Sequence, residues 1–198
     1  GLHFTENVLQ TIRERDITTE TVCLHVGAGT FLPVKSSLVS EHTMHREPFV
    51  ITLDFLEKLR SRSGKLVAVG TTSVRTLESL YYIGVRCIES GVPGDVDQWD
   101  PYCRKYEYSL DESLGALIDY LKDNSLNELQ LGTRIIIVPG YEFKVVDVLV
   151  TNFHQPQSTL LLLISAFVKG DWHKIYDFAL ANDFRFLSYG DSSLLFKE

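Results

Sequence analysis

A turn rich in hydroxyl side chains stands between a short apolar run and an amphipathic helix. It comprises four residues, Gly70, Thr71, Thr72 and Ser73. The first amide groups of a helix lack intrahelical acceptors and carry a partial positive charge, and Arg75 adds a cation in the first turn. The pattern predicts a site for an anion, either a phosphate or a carboxylate. The alternative is that Thr72 or Ser73 caps the helix and Arg75 pairs with a surface acid.

A second polar cluster, residues 151–154, follows an apolar run and precedes another helix. Polar residues past the carboxyl end of a strand occupy the usual ligand crevice of an α/β sheet. Asn152 is therefore a candidate for substrate binding and His154 for general acid or base catalysis. We expect the turn at Gly70 to face the same cleft as His154. The alternative is an Asx-type turn with His154 hydrogen-bonded to the backbone.

Three titratable residues, His42, His45 and Glu47, lie close together in sequence. An imidazole or carboxylate in a cleft can carry a proton, so His45 and Glu47 are further candidates for acid–base catalysis. The H-x-x-H spacing differs from the i, i+4 pair of a zinc protease helix, so no metal site is predicted. Exposed histidines without a role would fit the pattern equally well.

Two familiar signatures are missing. The glycines at 27 and 29 lack the third glycine and the following helix of a dinucleotide-binding fingerprint. A G-x-S-x-G hydrolase elbow is also absent. Residues 185–191 combine aromatic, apolar and charged side chains, of which the aromatic ones suit either the core or stacking on a nucleobase.

Capping residues predict where the helices begin. Ser109 and Glu112 have the spacing of a capping box, and Thr52 belongs either to a short strand over 50–53 or to the cap of a helix. Gly84 is expected to stop the helix that starts at the 70–73 turn. Three further caps precede apolar or amphipathic helices, namely Thr5, Ser158 and Asp171.

Strands are expected to alternate with these helices. They are predicted over 21–26, 66–69, 134–138, 143–150 and 184–191, and the 134–138 and 143–150 strands are expected to form a hairpin-like pair. The alternation predicts an α/β domain with a mixed or mainly parallel sheet and flanking helices.

Length, charge and cysteine content limit the class of protein. The 198 residues suffice for one sizeable core, and no apolar run approaches the ~18 residues of a membrane helix. Most of the net charge of −7 lies in segment 91–130, which carries nine acidic and three basic side chains. We expect this segment to be an exposed acidic excursion within a single domain spanning 1–198. Three cysteines without C-x-x-C spacing indicate a reducing, cytoplasmic location.

Seven blocks occur in order along the chain. They read GLHFT at 1–5, LHVGAGTF at 24–31 with PV at 33–34, HTMHRE at 42–47, VAVGTTSVRTLES at 67–79, PGYEFKVVD at 139–147, TNFH at 151–154 with STLL at 158–161, and RFLSYGD at 185–191. Together they resemble the S-adenosylmethionine:tRNA ribosyltransferase-isomerase family of queuosine biosynthesis. Each block alone is weak evidence for the family, whereas seven blocks in the same order are specific to it.

The resemblance implies both an architecture and a reaction. The chain would form most of the larger α/β domain of a two-domain protein, with an N-terminal segment and a small β-barrel domain before Gly1. In the implied reaction, the ribosyl part of S-adenosylmethionine is transferred to 7-aminomethyl-7-deazaguanine at the wobble position of tRNA and isomerised. Epoxyqueuosine is formed, and adenine and methionine are released.

The resemblance also implies roles for residues. It implies that the segment from Gly70 to Arg75 binds a carboxylate or a phosphate. General acid or base catalysis would fall to His154, His45 or Glu47. Tyr189 and Asp191 would bind the ribose or the base. S-adenosylmethionine is consumed as a substrate, so neither a cofactor nor a metal is implied. The partners would be S-adenosylmethionine and tRNA that carries 7-aminomethyl-7-deazaguanine at the wobble position; no membrane is expected, and the protein is expected to be a monomer. We expect the chain alone to be inactive, since ligand sites often lie between domains.

The sequence departs from the family pattern at two places. Gln155 and Gln157 flank a proline where the family usually has Leu-Pro-Lys, and the acidic segment replaces a usually shorter link. Both changes bear on tRNA affinity, because phosphate contacts dominate it. Two other functions therefore stay open: another S-adenosylmethionine-dependent enzyme, such as a methyltransferase, or a non-catalytic RNA-binding domain.

Overall fold

The computed structural model describes residues 3–25 and 38–197. The glycines at 27 and 29 lie outside these residues. The helices are α1 Glu6–Glu14, α2 Leu53–Ser61, α3 Thr71–Ser90, α4 Asp100–Cys103, α5 Leu110–Asp123, α6 Thr159–Phe167 and α7 Trp172–Ala181. The strands are β1 Cys23–Leu24, β2 Glu47–Thr52, β3 Val67–Val69, β4 Glu128–Thr133, β5 Val148–Asn152 and β6 Ser192–Phe196.

The strands form two three-stranded sheets within the described part of the chain. The first has the order β1-β2-β4 and is antiparallel throughout. In the second, with the order β3-β5-β6, β3 runs parallel to β5 and β6 runs antiparallel to it. The prediction of a mixed α/β fold is confirmed, and a single pair of described strands is parallel.

Most predicted caps are present because each needs only a hydroxyl two or three residues before a free amide. Thr52 ends β2 and its hydroxyl also accepts the Phe55 amide at 3.2 Å, so both of its predicted roles apply. Ser109 and Glu112 form the reciprocal capping box. Thr5 and Ser158 likewise cap α1 and α6, whereas Asp171 precedes α7 without a side-chain cap.

The predicted hairpin is wrong. β4 ends at Thr133 and pairs with β2, while β5 begins at Val148 and lies in the other sheet. The buried carboxylate of Glu78 organises the connection between them. It accepts the Tyr141 hydroxyl at 2.9 Å and the amides of residues 144–146 at 2.9–3.0 Å, so the connecting backbone bonds to a side chain and not to a neighbouring strand.

Another strand prediction also needs correction. Residues 184–191 form a turn, and the last strand starts afterwards, at Ser192. Phe184 and Phe186 both pack their rings against Phe153, which draws this segment out of the sheet. The predicted 66–69 strand is present as β3. It is the outermost strand of its sheet, so Val67 and Val69 are exposed and only Ala68 between them is buried.

Gly84 does not stop the helix. α3 continues to Ser90 and ends at Gly91, whose φ of +79° is the left-handed conformation that glycine tolerates. Gly84 instead provides space for α5, because a Cβ there would lie 2.1 Å from Ser113 Oγ and 2.2 Å from Ser113 O. The Ser113 hydroxyl donates to the Tyr81 carbonyl at 2.6 Å, which holds the two helices at this distance.

The acidic segment 91–130 does not stand apart from the core, contrary to expectation. Its helix α5 buries four aliphatic side chains in the main hydrophobic cluster, Leu114, Leu117, Ile118 and Leu121. Several of its acids pair with cations from other parts of the chain, such as Asp95 with Arg46 and Asp111 with Arg60. None of the helices in residues 3–25 and 38–197 has the length and apolarity needed to cross a bilayer.

Gly84→Ala should lower the free energy of unfolding by about 2–3 kcal/mol, because the new methyl group meets backbone that cannot move aside. This loss outweighs the ~1 kcal/mol that alanine adds in helix propensity. Gly64→Ala is the control, since a Cβ there meets nothing within 4 Å. Urea unfolding of both variants measures the effect, and equal stability would contradict the close packing of α3 on α5.

Candidate functional site

The parallel pairing of β3 with β5 brings two of the predicted polar clusters together. Val69 is paired with Val150, and the Gly70 amide donates to the Val150 carbonyl at 2.8 Å. The 70–73 turn and residues 151–154 therefore leave the sheet at the same edge, as predicted from the sequence. This edge is the usual ligand position of an α/β sheet.

The N-terminus of α3 lies at this edge without a side-chain cap. Gly70 is the N-cap residue, with a φ of +90° that a glycine adopts readily. Ser73 donates its hydroxyl to the Val69 carbonyl at 2.8 Å, so capping by Thr72 or Ser73 is not what the structure shows. The first-turn amides keep their capacity to bind an anion.

Arg75 and Glu47 are in the interior, where they form an ion pair. Arg75 Nη1 lies 2.8 Å from Glu47 Oε2, and the two side chains are only 3% and 2% exposed. Arg75 Nε donates to the Ile135 carbonyl at 3.0 Å. Burial lowers the pKa of Arg75, an effect that the neighbouring carboxylate opposes. In this arrangement Arg75 does not present a cation at the open edge and Glu47 does not line a cleft; the pair ties α3 to β2.

His154 is held at both its ring and its backbone. Nε2 lies 2.9 Å from the Thr151 hydroxyl, and the backbone amide donates to the Tyr176 hydroxyl at 2.9 Å. Burial lowers the pKa of His154 to about 4. The imidazole is therefore neutral at pH 7 and can accept a proton, although the same burial makes it a weaker base than a free histidine.

Asn152 joins the end of β5 to two distant parts of the chain, residue 3 and residues 190–191. Its Nδ2 lies 2.9 Å from His3 Nε2, 3.2 Å from the Asp191 carbonyl and 3.4 Å from the Gly190 carbonyl. Because side chains alternate along a strand, Asn152 points to the face of β5 opposite Thr151. Sequence reasoning missed His3 as a site residue, although the GLHFT block contained it.

The turn from residue 185 to 191 is closed by its own two ends. Asp191 Oδ2 accepts the Arg185 amide at 2.7 Å, and this hydrogen bond lowers the pKa of Asp191. The Asp191 amide returns a hydrogen bond to the Arg185 carbonyl at 2.7 Å. Tyr189, within the turn, is 85% exposed. The Gly190 and Asp191 carbonyls place the end of this turn beside Asn152 at the same edge.

His45 is exposed in the segment before β2, and no contact joins it to the residues around Asn152 or His154 within the described parts of the chain. The neighbouring backbone is held by Gln98, which donates to the His42 carbonyl at 2.6 Å and accepts the Met44 amide at 2.9 Å. Residues 3–25 and 38–197 contain no group of three His, Cys, Asp or Glu side chains arranged to hold a metal ion.

Comparisons with known proteins agree on one family. A family model described as queuosine biosynthesis protein matches residues 1–195. A relative from Rickettsia bellii is 36% identical over 100% of this chain and 46% of its own length, and one from Caulobacter vibrioides is 42% identical over 100% and 44%. Both relatives are named S-adenosylmethionine:tRNA ribosyltransferase-isomerase.

A solved structure is also similar. The S-adenosylmethionine tRNA ribosyltransferase from Thermotoga maritima superposes with a TM-score of 0.61 at 31% identity, over 98% of this chain and 50% of that one. This chain thus spans about half the length of the relatives that it matches.

Glu47→Gln should lower the free energy of unfolding by about 3–5 kcal/mol, since it leaves the buried Arg75 without its anionic partner. Glu142→Gln breaks the exposed pair with Lys144 and should cost less than about 1 kcal/mol. Denaturant unfolding at pH 7 compares the two variants. If they were equally stable, the buried pair would not hold β2 against α3.

The stability of the protein should fall as the pH drops from about 6.5 to about 4. The pKa of His154 in the folded state, about 4, lies below the ~6.5 of a free histidine, so the unfolded chain binds the proton first. The contribution of the neutral His154 to the free energy of unfolding is fully present above pH ~6.5, and up to ~3 kcal/mol of it is lost by pH 4. Urea unfolding at several pH values should show a shallower fall for His154→Gln than for the parent, while the exposed His173→Gln follows the parent. Identical profiles would contradict the burial of His154.

Proposed function

Because this chain belongs to the queuosine biosynthesis protein family, we propose that it carries much of the site at which the ribosyl group of S-adenosylmethionine is transferred to tRNA and isomerised. The acceptor is the aminomethyl group of 7-aminomethyl-7-deazaguanine, and the products are epoxyqueuosine in tRNA, adenine and methionine. The observation that carries the proposal is the meeting of residues 3, 70–73, 151–154 and 185–191 at one sheet edge. The relatives' names support the reaction.

The reaction asks for a base and for an uncharged nucleophile. The sulfonium of S-adenosylmethionine makes C5′ both acidic and electrophilic, so a base must take a proton while the acceptor amine is presented neutral. His154 is the candidate base, since its imidazole is uncharged at pH 7 and its orientation is held by Thr151 and Tyr176. The exposed His45 is the second candidate for proton transfer.

The substrate carries anionic and polar groups that match the rest of the edge. The amides of Thr71, Thr72 and Ser73 suit the methionine carboxylate or a tRNA phosphate, because no side chain caps them. Asn152, Asp191 and the exposed Tyr189 suit the nucleoside part. Glu47 and Arg75 act at a distance, by holding the N-terminus of α3 in place.

S-adenosylmethionine is consumed in this reaction, so we assign it as a substrate and propose neither a cofactor nor a metal. tRNA is the second substrate, and we propose a monomer acting in the cytoplasm. The three cysteines, Cys23, Cys87 and Cys103, are free thiols, as expected in a reducing compartment.

In the full-length protein, His154→Ala should reduce turnover by about 10²–10⁴-fold, with a smaller effect on S-adenosylmethionine binding, because a base acts mainly in the transition state. The assay follows free adenine released in the presence of tRNA that carries the 7-aminomethyl-7-deazaguanine base, and calorimetry measures binding. His173→Ala, at an exposed position on α7, is the control. Undiminished adenine release by His154→Ala would remove His154 from the reaction.

The same assay separates the other two functions. A methyltransferase would form S-adenosylhomocysteine and release no adenine. A non-catalytic RNA-binding domain would bind the tRNA and leave S-adenosylmethionine intact. Either result with the full-length parent would overturn the proposed reaction.

A further inference from the structure

The hydrogen bonds around Asn152 determine which nitrogen of His3 carries the proton. The Gly190 and Asp191 carbonyls, 3.4 and 3.2 Å away, can only accept, so the amide nitrogen of Asn152 and not its oxygen must face them. An amide nitrogen carries two hydrogens, so the two carbonyls share one, and His3 Nε2, at 2.9 Å, accepts the other. Nε2 therefore carries no proton, and the proton of the ring is on Nδ1.

This tautomer leaves one donor available on the ring. Within residues 3–25 and 38–197, Nδ1 of His3 has no hydrogen-bond partner, and the side chain is half-buried. The Asp191 carbonyl and His3 Nε2 are both within 3.2 Å of one nitrogen atom, so residues 3 and 191 are close neighbours.

The carboxylate of this neighbouring residue, Asp191, supplies an acceptor. One oxygen accepts the Arg185 amide at 2.7 Å, and the other lies 3.6 Å from the Arg185 guanidinium, too far for a hydrogen bond. The side chain is 39% exposed, so it is open to a ligand. Tyr189, two residues earlier, adds an exposed aromatic ring.

We propose that His3 and Asp191 together bind the vicinal hydroxyls of a ribosyl group, with the Nδ1–H of His3 donating to one hydroxyl and the Asp191 carboxylate accepting from the diol. Each hydroxyl is both a donor and an acceptor, so a diol satisfies an adjacent donor and acceptor at once. The exposed ring of Tyr189 offers a stacking surface for the base of the same nucleoside. The inference rests on the proposed function and adds His3 to its substrate site.

The tautomer is tested first, without any ligand. Nitrogen-15 NMR of the 198-residue chain should show His3 in the Nδ1–H form at pH 7.5, and Asn152→Ala should abolish this preference. Asn182→Ala is the matched control, since Asn182 lies at the end of α7 and donates to the Phe178 carbonyl. A parent ring protonated on Nε2 would overturn the proposal whatever the binding data show.

The hydroxyl contact is tested with two probes that differ only in the diol, adenosine and 2′,3′-dideoxyadenosine. The parent chain should bind adenosine about 10-fold more tightly, the effect expected of a hydrogen bond whose loss leaves protein groups unpaired. His3→Ala should remove most of this preference and leave the affinity for the dideoxy compound unchanged. His173→Ala should behave as the parent does.

The outcomes separate this contact from the proposed function. Equal affinity of the parent for both probes, or an equal loss of both in His3→Ala, would overturn the hydroxyl contact alone. Failure of the parent to bind adenosine or S-adenosylmethionine at all would count against the proposed function and this contact together. A preference for adenosine over the dideoxy compound that is present in the parent and lost in His3→Ala supports the proposal. This support would remain even if the full-length protein catalysed a different reaction of the same nucleoside.

Discussion

The parallel pairing of β3 with β5 is the constraint on which the candidate site depends. The hydrogen bond from the Gly70 amide to the Val150 carbonyl continues this pairing one residue past β3, so that the chain enters α3 directly beside the end of β5. A helix N-terminus and a polar strand end thereby share one sheet edge. Any shift in register would separate the first-turn amides of α3 from Asn152 and His154, because each residue of a strand advances by about 3.3 Å.

Helix α3 keeps this edge in place through two buried charges. Arg75 reaches Glu47 at the start of β2, and Glu78 collects the amides of the connection that leads into β5. Burying a charge is costly unless it is paired or hydrogen-bonded, so each contact ties its partner segment firmly to the helix. One helix thus links both sheets and also presents its uncapped N-terminus at this edge. Glu47, a catalytic candidate from the sequence, and Arg75, a candidate for anion binding, serve this structural purpose.

The end of β5 separates two chemical environments. Thr151 points into the core side, where it meets His154 and where burial keeps the imidazole uncharged. Asn152 points to the opposite, more exposed side and gathers His3 and Asp191. The residues that we propose for proton transfer and for recognition of polar substrate groups therefore contact opposite faces of one strand. The alternation of side chains along a strand is sufficient to produce this division.

The sequence by itself determined the features that depend on a few neighbouring residues. The caps at Thr5, Thr52, Ser109 and Ser158 are of this kind, because a hydroxyl and the amide it accepts are three residues apart. The α/β character and the polar residues after the strands were also predictable from short segments of the sequence. Only the tertiary structure decided that β4 and β5 belong to different sheets, that Gly84 admits α5, and that Arg75 is buried against Glu47. It also brought His3 to Asn152, across 149 positions of the chain. Such contacts depend on which surfaces the folded chain places together, and no short-range pattern in the sequence records that choice.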